Sequence, residues 1–146
     1  MRAAVISLPS SRYKGESMPI SRIEGRRARS PAEVQSLIEA LYLAQREALH
    51  VPHWDRQIRY VEHKPEHFHV VPGRSDNYLL VEITLFAGRS LEAKRALYRQ
   101  VVERFGRLGV DANDITIVLH EVPPDNWGIR GGKPASEVDL GFKVDV

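Results

Sequence analysis

The chain has 146 residues, 42% of them hydrophobic and 27% charged, which is the composition of one soluble globular domain and excludes a disordered or fibrous protein. It has no cysteine, which excludes disulfides, a thiolate nucleophile and a cysteine-ligated zinc, and agrees with a reducing cytoplasm, where we expect the protein. The net charge of +2 lies within residues 1–17, which contain Arg2, Arg12 and Lys14 but only one acidic residue, Glu16. The remaining residues have no net charge, so we predict no nucleic-acid partner.

The first segment of the chain differs in character from the rest of the sequence. Proline and glycine interrupt its one apolar stretch, and no helical or strand period is sustained. We therefore divide the chain into an N-terminal extension, residues 1–17, and a domain, residues 18–146. Residues 14–16 can be encoded by a purine-rich stretch typical of a bacterial ribosome-binding site. Met18 and Met1 are thus both candidate start sites.

The domain opens with a strand, predicted at residues 20–23, and a helix. Ser30, Pro31 and Glu33 predict the start of that helix, as the N-cap, the first-turn proline and the capping-box acid. Apolar residues then recur every three or four positions as far as about His50. This period predicts a helix that buries one stripe.

The next strands differ in hydrophobicity. Residues 57–63 alternate enough for a strand, and residues 64–77 form a loop rich in His, Pro and Gly. Residues 78–87 are strongly apolar, which predicts a strand buried on both faces. This stretch is about ten residues long and contains Glu82, so it is too short to span a membrane, and we expect no membrane contact.

The same order of elements then repeats. Gly88, Arg89 and Ser90 cap a second helix that ends at Gly109, and residues 115–119 alternate as a fourth strand. The buried face of the second helix is predicted to consist of Leu97, Val101, Phe105 and Leu108. Two such βαβ repeats predict an α+β (α/β) fold, a four-stranded sheet with two helices on one face.

The other face of this sheet is expected to be apolar and to need a partner. This requirement predicts an oligomer. The tail alternates Phe142, Val144 and Val146, a pattern suited to a strand that pairs with a neighbouring subunit.

Three histidines lie close together in the loop before the third strand. His63, His67 and His69 could share one face of an extended segment, which is the geometry of a zinc or iron site. Pro65 interrupts the run, and a solvated loop edge explains the same residues. We therefore predict no metal.

Two arginines are candidates for binding an anion. Arg89 opens a helix, where a guanidinium beside free backbone N–H groups can hold a carboxylate, and Arg74 precedes the strand that leads to it. The alternative is a pair of surface ion pairs, Arg74 with Asp76 and Arg89 with Glu92. For either arginine alone, the pattern favours the ion pair.

Pro19 directly follows Met18. If translation starts at Met18 and the methionine is removed, Pro19 becomes a secondary amine that can accept or donate a proton when its surroundings lower its pKa from about 8. As an internal residue, Pro19 has no such nitrogen and is only a proline at a strand entry.

Six short motifs together carry a resemblance. They are Met18-Pro19, Val51-Pro52 with Asp55-Arg56, Arg74-Ser75-Asp76, Gly88-Arg89-Ser90, Gly109-Val110 with Asp114, and Asn126-Trp127-Gly128. Their order and spacing resemble the tautomerase superfamily, and most closely the long-chain branch that includes malonate semialdehyde decarboxylase. The resemblance implies that residues 18–146 form a tautomerase-like domain, a homotrimer, an active site around an N-terminal proline, and small enol or keto carboxylate substrates.

The resemblance also implies roles for individual residues. By position, Pro19 is similar to the catalytic proline, and Asp55 to the acidic residue that orients or activates water in the decarboxylase. Arg89, with Arg74 as a further candidate, would hold the substrate carboxylate. Trp127 would wall the pocket.

The leading hypothesis is a cytoplasmic, homotrimeric isomerase, a tautomerase without a cofactor. Two alternatives stay open. One is a decarboxylase or hydratase that uses Asp55 and water, although Ala87 stands where the decarboxylase has a second arginine. The other is a non-catalytic binding protein of the same fold, expected if Met1 is the true start.

Overall fold

The order strand, helix, strand occurs twice in the computed structural model, which describes residues 19–140. The elements are β1 (Ile20–Gly25), α1 (Pro31–Leu49), β2 (Gln57–Glu62), β3 (Leu79–Phe86), α2 (Leu91–Arg107) and β4 (Ile115–Val122). A small antiparallel pair, β5 (Gly128–Ile129) and β6 (Lys133–Pro134), comes after them. The predicted extension and the predicted tail strand at residues 142–146 lie outside the described residues.

The four long strands form one mixed sheet in the order β2, β1, β3, β4. β1 runs parallel to β2, β3 runs parallel to β4, and the central pair β1 and β3 is antiparallel. The predicted double βαβ fold is confirmed. This topology brings the beginnings of β1 and β2 to the same end of the sheet as the last residues of β3 and β4.

Local sequence signals set both helix starts. Ser30 Oγ accepts the Glu33 backbone N–H at 3.2 Å, and the Ser30 N–H donates to Glu33 Oε1 at 2.8 Å, the predicted capping box. That backbone hydrogen bond lowers the pKa of Glu33. At α2, Ser90 Oγ accepts the Ala93 N–H at 3.0 Å.

Among the described helices, none is both long and apolar enough to cross a membrane.

The core lies between the two helices and one face of the sheet. Leu97, Val101 and Phe105 of α2 are fully buried, as predicted, but Leu108 is 45% exposed because the helix has already ended at Arg107. In the single chain, the third strand is buried on one face and not, as predicted, on both. β3 alternates buried and half-buried residues up to Leu85, because only one of its faces meets the helices.

The sheet face away from the helices is not the apolar surface that the sequence predicted. A chain of charged and hydrogen-bonded side chains crosses it. Arg22 lies between Glu24 and Glu82, with Nη2 at 3.2 Å from Glu82 Oε2. Glu82 Oε1 contacts His120 Nε2 at 2.7 Å, and Glu24 Oε1 contacts His63 Nε2 at 3.2 Å. Hydrogen bonding to His120, and secondly to Arg22, lowers the pKa of Glu82.

We expect the substitution Glu82→Gln to lower the free energy of unfolding by about 1 kcal/mol near neutral pH, the net value of a charge-assisted contact at a partly exposed site. Because the folded-state pKa of Glu82 is lowered, this contribution is complete above the ordinary glutamate pKa and is lost as the pH falls through the lowered value. Denaturant unfolding in neutral and in acidic buffer measures the difference. The matched control is Glu103→Gln, at an exposed position of α2. A stability difference that persists in acid would contradict the assignment.

Candidate active site

Four of the predicted site residues lie at one end of the sheet. Pro19 immediately precedes β1, and Asp55 lies two residues before β2. Arg89 and Trp127 follow the last residues of β3 and β4. The register confirms that these termini are neighbours, since Ile20 pairs with both Gln57 and Thr84, and Phe86 pairs with Val122.

Pro19 is buried where the chain enters β1. Two residues further on, Ser21 Oγ accepts a hydrogen bond from Gln45 Nε2 of α1 at 2.5 Å, and both side chains are at least 98% buried. Sequence reasoning did not identify this pair, although a glutamine within the apolar stripe of α1 is a usable signal. The hydrogen bond fixes the start of β1 against α1, and so fixes the approach to Pro19.

Asp55 is 2% exposed, which is unusual for a carboxylate. Asp55 lies in a tight turn, in which its N–H donates to the Pro52 carbonyl at 3.0 Å. Tyr42 of α1 holds this turn, because its hydroxyl donates to the His53 carbonyl and its ring lies 4.1 Å from the Arg56 guanidinium carbon. The loop before β2 is therefore anchored to α1 on both sides of Asp55.

Arg89 is 5% exposed, so it is not the solvated surface residue that the alternative of an ion pair with Glu92 assumed. It lies between Gly88, whose φ of 126° places it in a region that favours glycine, and Ser90, the N-cap of α2. The first-turn N–H groups of α2 and the guanidinium give this position positive charge. An anion is the ligand that such a position favours.

Trp127 is only 8% exposed, and its ring centroid lies 5.0 Å from that of Phe86. Its indole Nε1–H donates to the Val122 carbonyl at 3.0 Å. Most of the ring is therefore part of the core, and little of it is available as the predicted pocket wall.

Arg74 lies at the opposite end of the sheet. It precedes β3, its Nη1 donates to the Asn113 carbonyl at 2.9 Å, and its guanidinium lies 5.6 Å from the Tyr78 ring. The ion pair suggested for it does not form, because Asp76 instead pairs with Arg26 at 2.8 Å. Within one chain, Arg74 is not brought together with Pro19, Asp55 and Arg89.

The histidines lie at that far end too. His63 contacts Glu24 and packs edge-on against Phe68, with ring centroids 5.1 Å apart, whereas His67 and His69 are exposed. In the part of the chain that the structure describes, no group of three or more His, Cys, Asp or Glu side chains could hold a metal ion.

The end of the sheet at Pro19 thus combines a buried carboxylate with a buried guanidinium. The guanidinium can bind a carboxylate through two parallel hydrogen bonds. A carboxylate, or an amine if the chain began at Pro19, can transfer a proton. These groups suit the binding and proton transfer of a small organic anion.

Comparison with known proteins gives a consistent family. A family model described as tautomerase enzyme matches residues 55–130. The probable tautomerase YusQ of Bacillus subtilis (strain 168) is 30% identical over 122 residues, which cover 80% of this chain and 96% of YusQ. The structure of FG41 malonate semialdehyde decarboxylase inhibited by 3-bromopropiolate superposes with a TM-score of 0.72 at 25% identity, over 79% of this chain and 92% of that one. An asymmetric trimer of fused 4-OT superposes with a TM-score of 0.74 at 21% identity, over 84% of this chain and 99% of that one.

Proposed function

The chain belongs to the tautomerase family, and on that premise we propose that it is an isomerase that moves a proton between oxygen and carbon of small 2-oxo carboxylates and their enols. The observation that supports this proposal best is the meeting of Pro19, Asp55 and Arg89 at one end of the sheet, with the Asp55 and Arg89 side chains at least 95% buried. Burial strengthens the attraction between Arg89 and a bound anion, because less water screens the charges.

The proposed reaction starts with the substrate carboxylate on Arg89. The amine of Pro19, in a chain that begins there, accepts the proton of the enol hydroxyl. The electron pair of that O–H bond forms the carbonyl, and the carbon–carbon double bond accepts a proton from the resulting ammonium. One amine thus removes and returns the proton.

Ketonisation of phenylenolpyruvate tests this function. The reaction is measured through the loss of the enol absorbance. Natively expressed protein should accelerate the reaction over buffer. Its mass, measured on the same sample, reports whether the chain begins at Met1, Met18 or Pro19. A chain that begins at Pro19 and gives no acceleration would contradict the proposal.

A second candidate is decarboxylation or hydration with Asp55 and water. The similarity to malonate semialdehyde decarboxylase and the 2% exposure of Asp55 favour it. Release of carbon dioxide from a 3-oxo acid distinguishes decarboxylation from ketonisation, and addition of water to an unsaturated acid distinguishes hydration. The presence of Ala87, where the decarboxylase has a second arginine, makes it the weaker candidate.

The assembly proposed for this enzyme is a homotrimer. The fused 4-OT structures to which it is similar are trimers. In one chain the sheet face away from the helices leaves Val118 38% exposed, and contact with further copies would cover it. We further propose that residues 1–17 are an extension to a catalytic domain formed by residues 18–146, and that the enzyme is cytoplasmic.

Light scattering of natively expressed protein at micromolar concentration is expected to give three times the chain mass that mass spectrometry reports for the same sample. The trimeric state of the similar fused 4-OT structures is the reason for this expectation. A monomer under these conditions would contradict the assembly, while leaving the fold intact.

A further inference from the structure

We propose that Trp127 is a positioning residue that fixes the segment carrying Arg89, and that it does not itself bind the substrate. This inference rests on the proposed function of Arg89 as the arginine that binds the substrate carboxylate. It replaces the role of pocket wall that the sequence suggested for Trp127.

Hydrogen bonds connect Trp127 to that segment through one carbonyl. Val122, the last residue of β4, accepts the Trp127 indole N–H at 3.0 Å and the Ala87 backbone N–H at 3.1 Å. Ala87 lies only two residues before Arg89. The carbonyl that orients the indole is therefore also the one that holds the exit from β3.

Ring packing acts on the same exit. Phe86, the last residue of β3, is fully buried, and its ring meets that of Trp127 at a tilt of 55°. The backbone of Trp127 is held as well, since its carbonyl accepts the Ala135 N–H at 2.9 Å. Trp127 thus lies between the end of β3 and the β5–β6 pair. With 8% of its surface exposed, it offers little area to a ligand.

Arg89 consequently lies between two fixed points. On one side, Phe86 and Ala87 are held by Trp127 and Val122. On the other side, Ser90 is held as the N-cap of α2 by its hydrogen bond to Ala93. Holding the backbone on both sides reduces the conformational freedom that the arginine must lose when it binds an anion.

A double-mutant cycle with Trp127→Phe and Arg89→Ala tests the inference, with kcat/KM for phenylenolpyruvate measured on natively expressed protein. Trp127→Phe removes the indole hydrogen bond and keeps an aromatic ring. It is expected to lower kcat/KM about fivefold, the rate equivalent of one net hydrogen bond, chiefly through a higher KM. In the Arg89→Ala background the same substitution should change kcat/KM less than about twofold, because there is no arginine left to position.

The outcomes separate the two proposals. If Arg89→Ala alone leaves kcat/KM unchanged, the proposed role of Arg89 is wrong, and the inference falls with it. If Arg89→Ala lowers kcat/KM but Trp127→Phe lowers kcat/KM by the same factor with and without Arg89, only the positioning role is wrong. The matched control is Phe105→Leu in the buried part of α2, which should lower the Tm and leave KM unchanged. Should Trp127→Phe fail to fold, Phe86→Leu removes the same ring contact and takes its place in the cycle, with the same expected result.

Discussion

A chain that begins at Pro19 is expected to accelerate the ketonisation of phenylenolpyruvate about 10²- to 10⁴-fold more than a chain that retains Met1, the range that a positioned general acid or base contributes. The reason is chemical. At the chain start, the nitrogen of Pro19 is a secondary amine that can accept a proton, whereas inside the chain it is a tertiary amide that cannot. Activity of the shorter chain should also rise with pH through the pKa of that amine.

The comparison needs two chains with defined starts. Substituting Met18→Leu in the full-length chain prevents initiation at residue 18, and mass spectrometry confirms that Met1 is retained. The shorter chain is expressed from Met18, and its mass should show that the methionine has been removed. Equal activity of the two chains would rule out the proline mechanism. Catalysis would then have to depend on Asp55 or the arginines, or the fold would serve as a binding protein.

The substitution Arg89→Ala is expected to lower kcat/KM by at least about tenfold and to raise KM, because a charge-assisted contact with a carboxylate is worth roughly 1.5 to 3 kcal/mol. Arg89→Lys should restore only part of the loss, since lysine keeps the charge but lacks the planar pair of donors. Steady-state kinetics with phenylenolpyruvate, in the chain that begins at Pro19, measure both variants.

Arg99→Ala supplies the matched control. Arg99 is an exposed arginine on α2, so this variant removes the same charge without touching the site, and its kinetics should match those of the unsubstituted chain. If Arg89→Ala matched the control, Arg89 would have a purely structural role at the start of α2. The carboxylate-binding group would then have to be sought elsewhere.

The local elements could be predicted from the sequence because short-range chemistry determines them. Ser30 with Glu33 and Ser90 with Ala93 form their caps from residues three positions apart. The strands and the buried stripes follow from the period of apolar residues in the same way. The repeat of these elements was enough to predict the double βαβ fold, and the order of the motifs was enough to predict the family.

Contacts between distant parts of the chain could not be predicted, because they depend on strand register and on which strand termini meet. The placement of Pro19 and Asp55 at the Arg89 end of the sheet, and not at the Arg74 end, follows from the antiparallel pairing of β1 with β3. The 5% exposure of Arg89 could not be predicted either. A sequence pattern records the type of a side chain, but whether that side chain lies in water or in the core depends on what packs over it.

The contacts of Trp127 depend on the tertiary structure in the same way. The sequence shows an aromatic residue shortly after the last strand of the sheet, and the resemblance implied that it is a pocket wall. Only the tertiary structure directs its indole N–H to the Val122 carbonyl and its ring onto Phe86, residues 5 and 41 positions away. The sequence gives the identity of this residue, whereas its contacts depend on the neighbouring ends of β3 and β4.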